Sequence, residues 1–173
     1  MTKFLRTTAA AAALLLTATP ALAAPVGPSD RNATATARIV KPLTLTWVQD
    51  LNLGTVLLSG AGAWAGAVVS ISRAGAFSCA NANVVCSGAN QVARYNVTGT
   101  NNQTVTITAP GVTLVNQNDN TKTLPMSVDS PGTVALSNSG NTGVDFSLGG
   151  SITVASTTTD GVYLGTFNVT VDY

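Results

Sequence analysis

The chain contains no histidine and no glutamate, and only 9% of its 173 residues are charged. Without imidazole, general acid–base catalysis and most metal sites lose their commonest carrier. A serine nucleophile has no histidine base, and neither Lys41 nor Lys122 stands in a Ser-x-x-Lys pattern. Eight basic residues against seven acidic ones give a formal charge of +1. That balance excludes the basic face that displaces counterions from nucleic-acid phosphates. Long apolar runs are also missing: nothing after the first two dozen residues approaches the roughly 20 needed to cross a bilayer. The expectation is a protein that is not an enzyme, takes no cofactor or metal, and has no transmembrane segment in its mature form.

What the chain does have begins with an export address. Lys3 and Arg6 precede an apolar run from Ala9 to Leu16, Pro20 breaks it, and Ala21-Leu22-Ala23 supplies small residues for cleavage. This order of charged, apolar and small residues is that of a secretory signal spanning residues 1–23, with cleavage after Ala23 or Ala24. Its apolar run is too short for a membrane anchor. Removing Lys3 and Arg6 leaves six basic residues against seven acidic ones, so the mature chain is close to neutral. No cysteine stands directly after the cleavage point, which argues against a lipid anchor there. The two cysteines, Cys79 and Cys86, lie in the exported part. An even pair close in sequence in an oxidising compartment reads as a disulfide. Closing so short a loop contributes roughly 2 to 3 kcal/mol by the chain-entropy account. A zinc site fails for want of further ligands, and a redox pair normally has a two-residue spacing.

Beyond the signal the pattern is that of strands. Thr34, Thr36 and Arg38 alternate with Ala33, Ala35, Ala37 and Ile39, and after Pro42 the residues Leu43, Leu45 and Trp47 alternate with Thr44 and Thr46. Further runs are expected at residues 67–72, 92–97, 104–108, 112–115, 122–128, 133–136 and 151–155. The last runs from Val162 to Tyr173, with Tyr163, Phe167, Val169, Val171 and Tyr173 on one face. Threonine and valine, stiff at the first side-chain torsion, fill these runs. Turn signals separate them, including Asn116-Gln-Asn-Asp-Asn120, Ser130-Pro-Gly132 and Asp160-Gly161. No sustained helical period follows residue 24. Many short strands with such punctuation predict an all-β, antiparallel β-sandwich after a cleaved signal peptide. The organisation expected is a signal at 1–23, a flexible leader at 24–32 and a single domain at 33–173.

Several of these stretches resemble an uncharacterised family of exported bacterial proteins. They are Ala33-Thr-Ala-Thr-Ala-Arg-Ile39, Pro42-Leu43, Asp50-Leu-Asn-Leu-Gly54 and the terminal Gly161-Val-Tyr-Leu-Gly-Thr-Phe-Asn-Val-Thr-Val-Asp-Tyr173. Leu53 stands where that family's turn carries Phe. The final strand is also similar to the closing strand of chaperone–usher pilins and spore-coat-type subunits. The resemblance implies an immunoglobulin-like or pilin-like sandwich in the periplasm, at the cell surface or outside a Gram-negative cell. Its partners would be further copies or related subunits, with a periplasmic chaperone and an outer-membrane usher. In that reading Tyr163, Phe167, Val169, Val171 and Tyr173 form an assembly strand that adds to a sheet edge. One departure from pilins is plain: Ala24–Asn32 offers only Val26 as a branched apolar side chain, and the alanines of Ala33–Ile39 would fill a groove poorly. Each missing methylene forfeits about 0.8 kcal/mol of burial. A complete, autonomous sandwich therefore stays open beside donor-strand assembly.

Other constellations carry less. Asn116, Asn118, Asp119 and Asn120 are rich in oxygen, but one carboxylate is few for calcium, and a solvated turn is expected. Lys41 and Lys122 are read as surface charges rather than crosslinking groups. Trp47, in an alternating strand, is expected to pack inside. Trp64 lies among Gly and Ala in the loop from Ser59 to Gly66; folding back over the sandwich edge is the commoner fate of such a ring, whereas an exposed one would stack on a sugar or a partner. The functional expectation is a pilin-like or adhesin-like structural subunit associating through strand edges. The alternative is a monomeric carbohydrate- or surface-binding module using Trp64.

Overall fold

Alternating residues with stiff, branched side chains build thirteen strands among the described residues, and no helix. The computed structural model describes residues 33–59, 62–137 and 142–173. The expected signal at 1–23 and the leader at 24–32 lie outside the described residues. In chain order the strands are β1 (Thr44–Gln49), β2 (Thr55–Leu58), β3 (Ala67–Ile71), β4 (Phe77–Ser78), β5 (Val84–Ser87), β6 (Ala93–Thr98) and β7 (Thr104–Thr108). They continue with β8 (Val112–Asn116), β9 (Thr123–Asp129), β10 (Thr133–Ala135), β11 (Val144–Val154), β12 (Tyr163–Leu164) and β13 (Thr170–Asp172). Every pairing between them is antiparallel.

The largest sheet runs β1-β6-β11-β9-β8-β12, with β3 also on β11 and β4 on β3. Its organising element is β11, eleven residues long. The first half pairs with β6, from Val144 opposite Val97 to Leu148 opposite Ala93. The second half pairs with β3, from Gly150 opposite Ile71 to Val154 opposite Ala67, while Gly149–Ile152 also face β9. The changeover falls on Gly149-Gly150. A Cβ on Gly149 would run into the backbone of β3 and its exit, at Ile71 O and at 2.6 Å from Arg73 N, so only glycine lets those chains approach. Two smaller sheets, β10-β7-β13 and β2-β5, complete the set.

Two apolar clusters result. One gathers Ala67, Val69, Val84, Leu124, Met126, Ile152 and Val154. The other gathers Ala93, Val97, Val105, Ile107, Leu136, Phe146 and Leu148, drawn from β6 and β11 of the large sheet and from β7 and the exit of β10. Leu51, Val128 and Phe167 pack against both. Arg38–Tyr173 form one compact unit, and Ala33–Ala37 belong to a separate N-terminal unit.

Three expectations need correction. The alternation at Ala33–Ile39 does not make a strand: these residues are exposed and lie outside every sheet, because short Ala side chains offer a sheet little surface to bury. The terminal run is not one strand either. β12 pairs with β8 and β13 with β7, and the chain changes sheets between them. Gly165 permits that crossing, since a Cβ there would meet Leu114 Cδ2 at 2.8 Å and Thr113 O at 3.1 Å. Lastly, β2, β4 and β5 form where no strand is expected, as runs of two to four residues too short to display a period.

Candidate assembly surface

The disulfide forms as its spacing predicts, joining Cys79, just after β4, to Cys86 of β5. It ties the two-stranded sheet to the edge of the large one, a link the β2-β5 pair needs because two strands alone are marginal in water.

The five residues expected on the closing strand separate by role. Tyr163 lies opposite Asn116, packs on the first cluster, and donates its hydroxyl to Thr159 O at 2.8 Å. Phe167 touches both clusters, and Val169 and Val171 pack on the second. All four are half-buried against the protein's own core. Tyr173 acts through its hydroxyl, which donates to Lys41 O at 2.6 Å and accepts from Thr100 N at 2.8 Å. The last residue thus fastens the entrance of β1 to the turn after β6. One edge of β13 pairs with β7; its other edge has no partner among the described residues.

Of the two tryptophans, Trp64 folds back onto the protein as expected, and Trp47 departs from its expected place inside. Trp64 is half-buried against the first cluster, its backbone N–H donating to Ser156 Oγ at 3.3 Å. Trp47 is 59% exposed. It lies opposite Tyr95, which in turn lies opposite Phe146, so the three aromatics share one face across β1, β6 and β11. Phe146 is buried and stacks on Tyr95 with ring centroids 5.7 Å apart. Trp47 overhangs the end of this row because β1 is the outermost strand and nothing described lies beyond it. Its indole Nε1 donates to Asp50 Oδ1 at 3.0 Å, which fixes the ring. Burial raises the Tyr95 phenol above its ordinary range, and the nearby Asp50 charge adds to the shift.

β1 carries other marks of an uncovered edge. Val48 is exposed like Trp47, whereas Leu45, opposite Val97, packs on the second cluster. The strand holds neither charge nor proline, the usual guards against pairing with another chain, though its register slips after Trp47. Lys41 precedes it and Asp50 follows it.

Part of the outward side of the large sheet is polar. Ser78, Ser70, Ser151 and Ser127 stand opposite one another across β4, β3, β11 and β9, with Ser127 Oγ and Ser151 Oγ 2.6 Å apart. They line an open cleft of about 390 Å³, at whose end Asp129 pairs with Arg73 at 2.9 Å. Hydroxyls in such a row are readily hydrated.

The oxygen-rich turn is a structural hub. Asn116 is 1% exposed; its Oδ1 accepts from Asn118 N at 2.8 Å and Asp119 N at 3.3 Å, and its Nδ2 donates to Asp160 O at 2.9 Å. Hydrogen bonds from Thr121 hold the Asp119 carboxyl below its usual range. Among the described residues no group of three His, Cys, Asp or Glu side chains could hold a metal ion, and no helix is long and apolar enough to cross a membrane.

These features define an all-β, antiparallel protein whose edge strand β1 is uncharged and has no outer partner among the described residues. Residues 43–173 match the family described as Domain of unknown function (DUF4402), and the chain belongs to that family. No curated protein and no solved structure matches it.

Proposed function

We propose that the protein is a non-enzymatic, exported structural subunit of the cell surface, pilin-like or adhesin-like, that associates through strand edges. The observation carrying this reading is β1, an edge strand with Trp47 and Val48 in solvent and no charge or proline to deter pairing. Strand addition supplies main-chain hydrogen bonds along such an edge, while alternate side chains supply selectivity. We read the second cluster, between β1-β6-β11 and β10-β7-β13, as the filling of an immunoglobulin-like or pilin-like sandwich. The signal-like residues 1–23 support export to the periplasm or beyond in a Gram-negative cell. Partners are other copies or related subunits, with a periplasmic chaperone and an outer-membrane usher as helpers. Electron microscopy of the purified mature protein should show filaments, with denaturant-resistant ladders on gels. Particles that stop at monomers or dimers overturn the subunit reading.

A second reading is favoured by one observation, the exposed and hydrogen-bonded indole of Trp47. It is a carbohydrate-binding module of the envelope, with Trp47 rather than Trp64 as the stacking ring. Glycan binding by a stable monomer, lost in Trp47→Ala and kept in Trp64→Ala, would establish it. Absence of glycan binding would remove it.

A further inference from the structure

We infer that β1 pairs with β1 of a second copy, antiparallel about a twofold axis through Thr46. This rests on the edge-association reading and names the edge and the partner. β1 ends the large sheet, so its outer backbone groups have no strand partner among the described residues.

A twofold axis perpendicular to the sheet keeps the core-side face of each copy on the same side. Directly opposed residues of an antiparallel pair share a face. In β1 the core-side residues are Leu45 and Trp47, opposite Val97 and Tyr95. Twofold axes through Leu45, Thr46 or Trp47 all respect both conditions; within Thr44–Val48 the one through Thr46, which places it opposite the second copy's Thr46, is the one that sets each exposed indole against an aliphatic side chain. Leu45 then stands opposite Trp47, and Thr44 opposite Val48. Each copy's exposed indole gains an aliphatic neighbour, and each exposed Val48 gains a threonine. Registers shifted by one residue put Trp47 beside the wrong face and leave it uncovered.

Charge supports the same choice. Lys41 lies at the entrance of the edge and Asp50 at its exit. Antiparallel pairing brings the Lys41 end of each strand to the Asp50 end of the other, twice per dimer. Parallel pairing would instead set Lys41 beside Lys41 and Asp50 beside Asp50. The register slip after Trp47 confines the shared ladder to Thr44–Val48. Such an isologous contact closes on itself, so growth beyond a dimer requires another edge, such as the side of β13 that has no partner among the described residues.

Cysteine crosslinking of the mature, disulfide-intact protein tests the register. Opposed residues of antiparallel strands have Cα atoms about 4.5–5.5 Å apart, within the range a disulfide spans. The two copies of Thr44 would be offset by four residues, roughly 13 Å along the strand. Thr46→Cys is expected to oxidise to a covalent dimer almost completely, and Thr44→Cys to stay monomeric. Mixed Thr44→Cys and Val48→Cys proteins should crosslink to each other. Val48→Lys, at an exposed position, should weaken wild-type dimerisation at least tenfold in sedimentation. Thr46→Cys crosslinking no better than Thr44→Cys, or Val48→Lys dimerising like wild type, overturns the pairing. If the pairing fails while wild-type ladders persist, the subunit reading stands on another edge. Thr46→Cys dimers without larger assemblies would confirm the pairing and overturn the polymeric subunit.

Discussion

Asn116 is a short amide whose role depends on burial rather than on oxygen count. In the sequence it stands among Asn118, Asp119 and Asn120 and reads as part of a solvated turn. In the fold it is enclosed and bonded to the turn on one side and to Asp160 on the other. Gly161 lies so close that a Cβ there would sit 2.5 Å from Asn116 Nδ2. Asn116→Ala should leave two N–H groups and a carbonyl without partners and lower stability by about 2–3 kcal/mol in urea denaturation. Tyr95 gives a second prediction. Its raised pKa means the folded chain favours the protonated phenol. Its contribution to stability is therefore full below about pH 10, the ordinary tyrosine value, and is lost as pH climbs through the raised one. Asp50→Asn should lower the Tyr95 pKa measured by NMR titration, though not to the ordinary value, because burial is the larger cause.

Among the elements, β11 carries most of the architecture, and only part of it is legible beforehand. The expected strand at 151–155 covers its last third. The earlier residues, Val144–Gly150, include two adjacent glycines that read as a break in any alternating pattern. In the fold those glycines are what allow one strand to serve β6, β3 and β9. Gly149→Ala forces a side chain into the backbone at the exit of β3. The expected loss is about 2–3 kcal/mol, read as a lower urea midpoint with an unchanged β-sheet spectrum at low denaturant. The terminal run shows the opposite case. Its alternation correctly marks the apolar face of Tyr163, Phe167, Val169 and Val171. The pattern is silent on the change of partner from β8 to β7, since both strands accept the same face.

The molecule as a whole places both apolar clusters within Arg38–Tyr173. A chain beginning at Arg38 should therefore keep its β-rich circular dichroism spectrum and unfold in one transition with a urea midpoint close to that of the mature protein. A helical or unfolded spectrum would show that the body needs the preceding residues. The match to the family begins at residue 43, just before β1.

Residue order by itself determined the all-β class, most strand positions, the Cys79–Cys86 bond and the apolar side of the terminal run. These are local matters, written in a period of two residues and in the spacing of turns. Tertiary structure alone decided which strands lie at an edge, and so which tryptophan meets solvent. Thr44 of β1 pairs with Thr98 of β6, and what lies on the other side of β1 depends on how every other strand is arranged. Trp47 and Trp64 carry the same ring; the strand order, with β1 outermost, exposes the first, while packing on the first cluster covers the second.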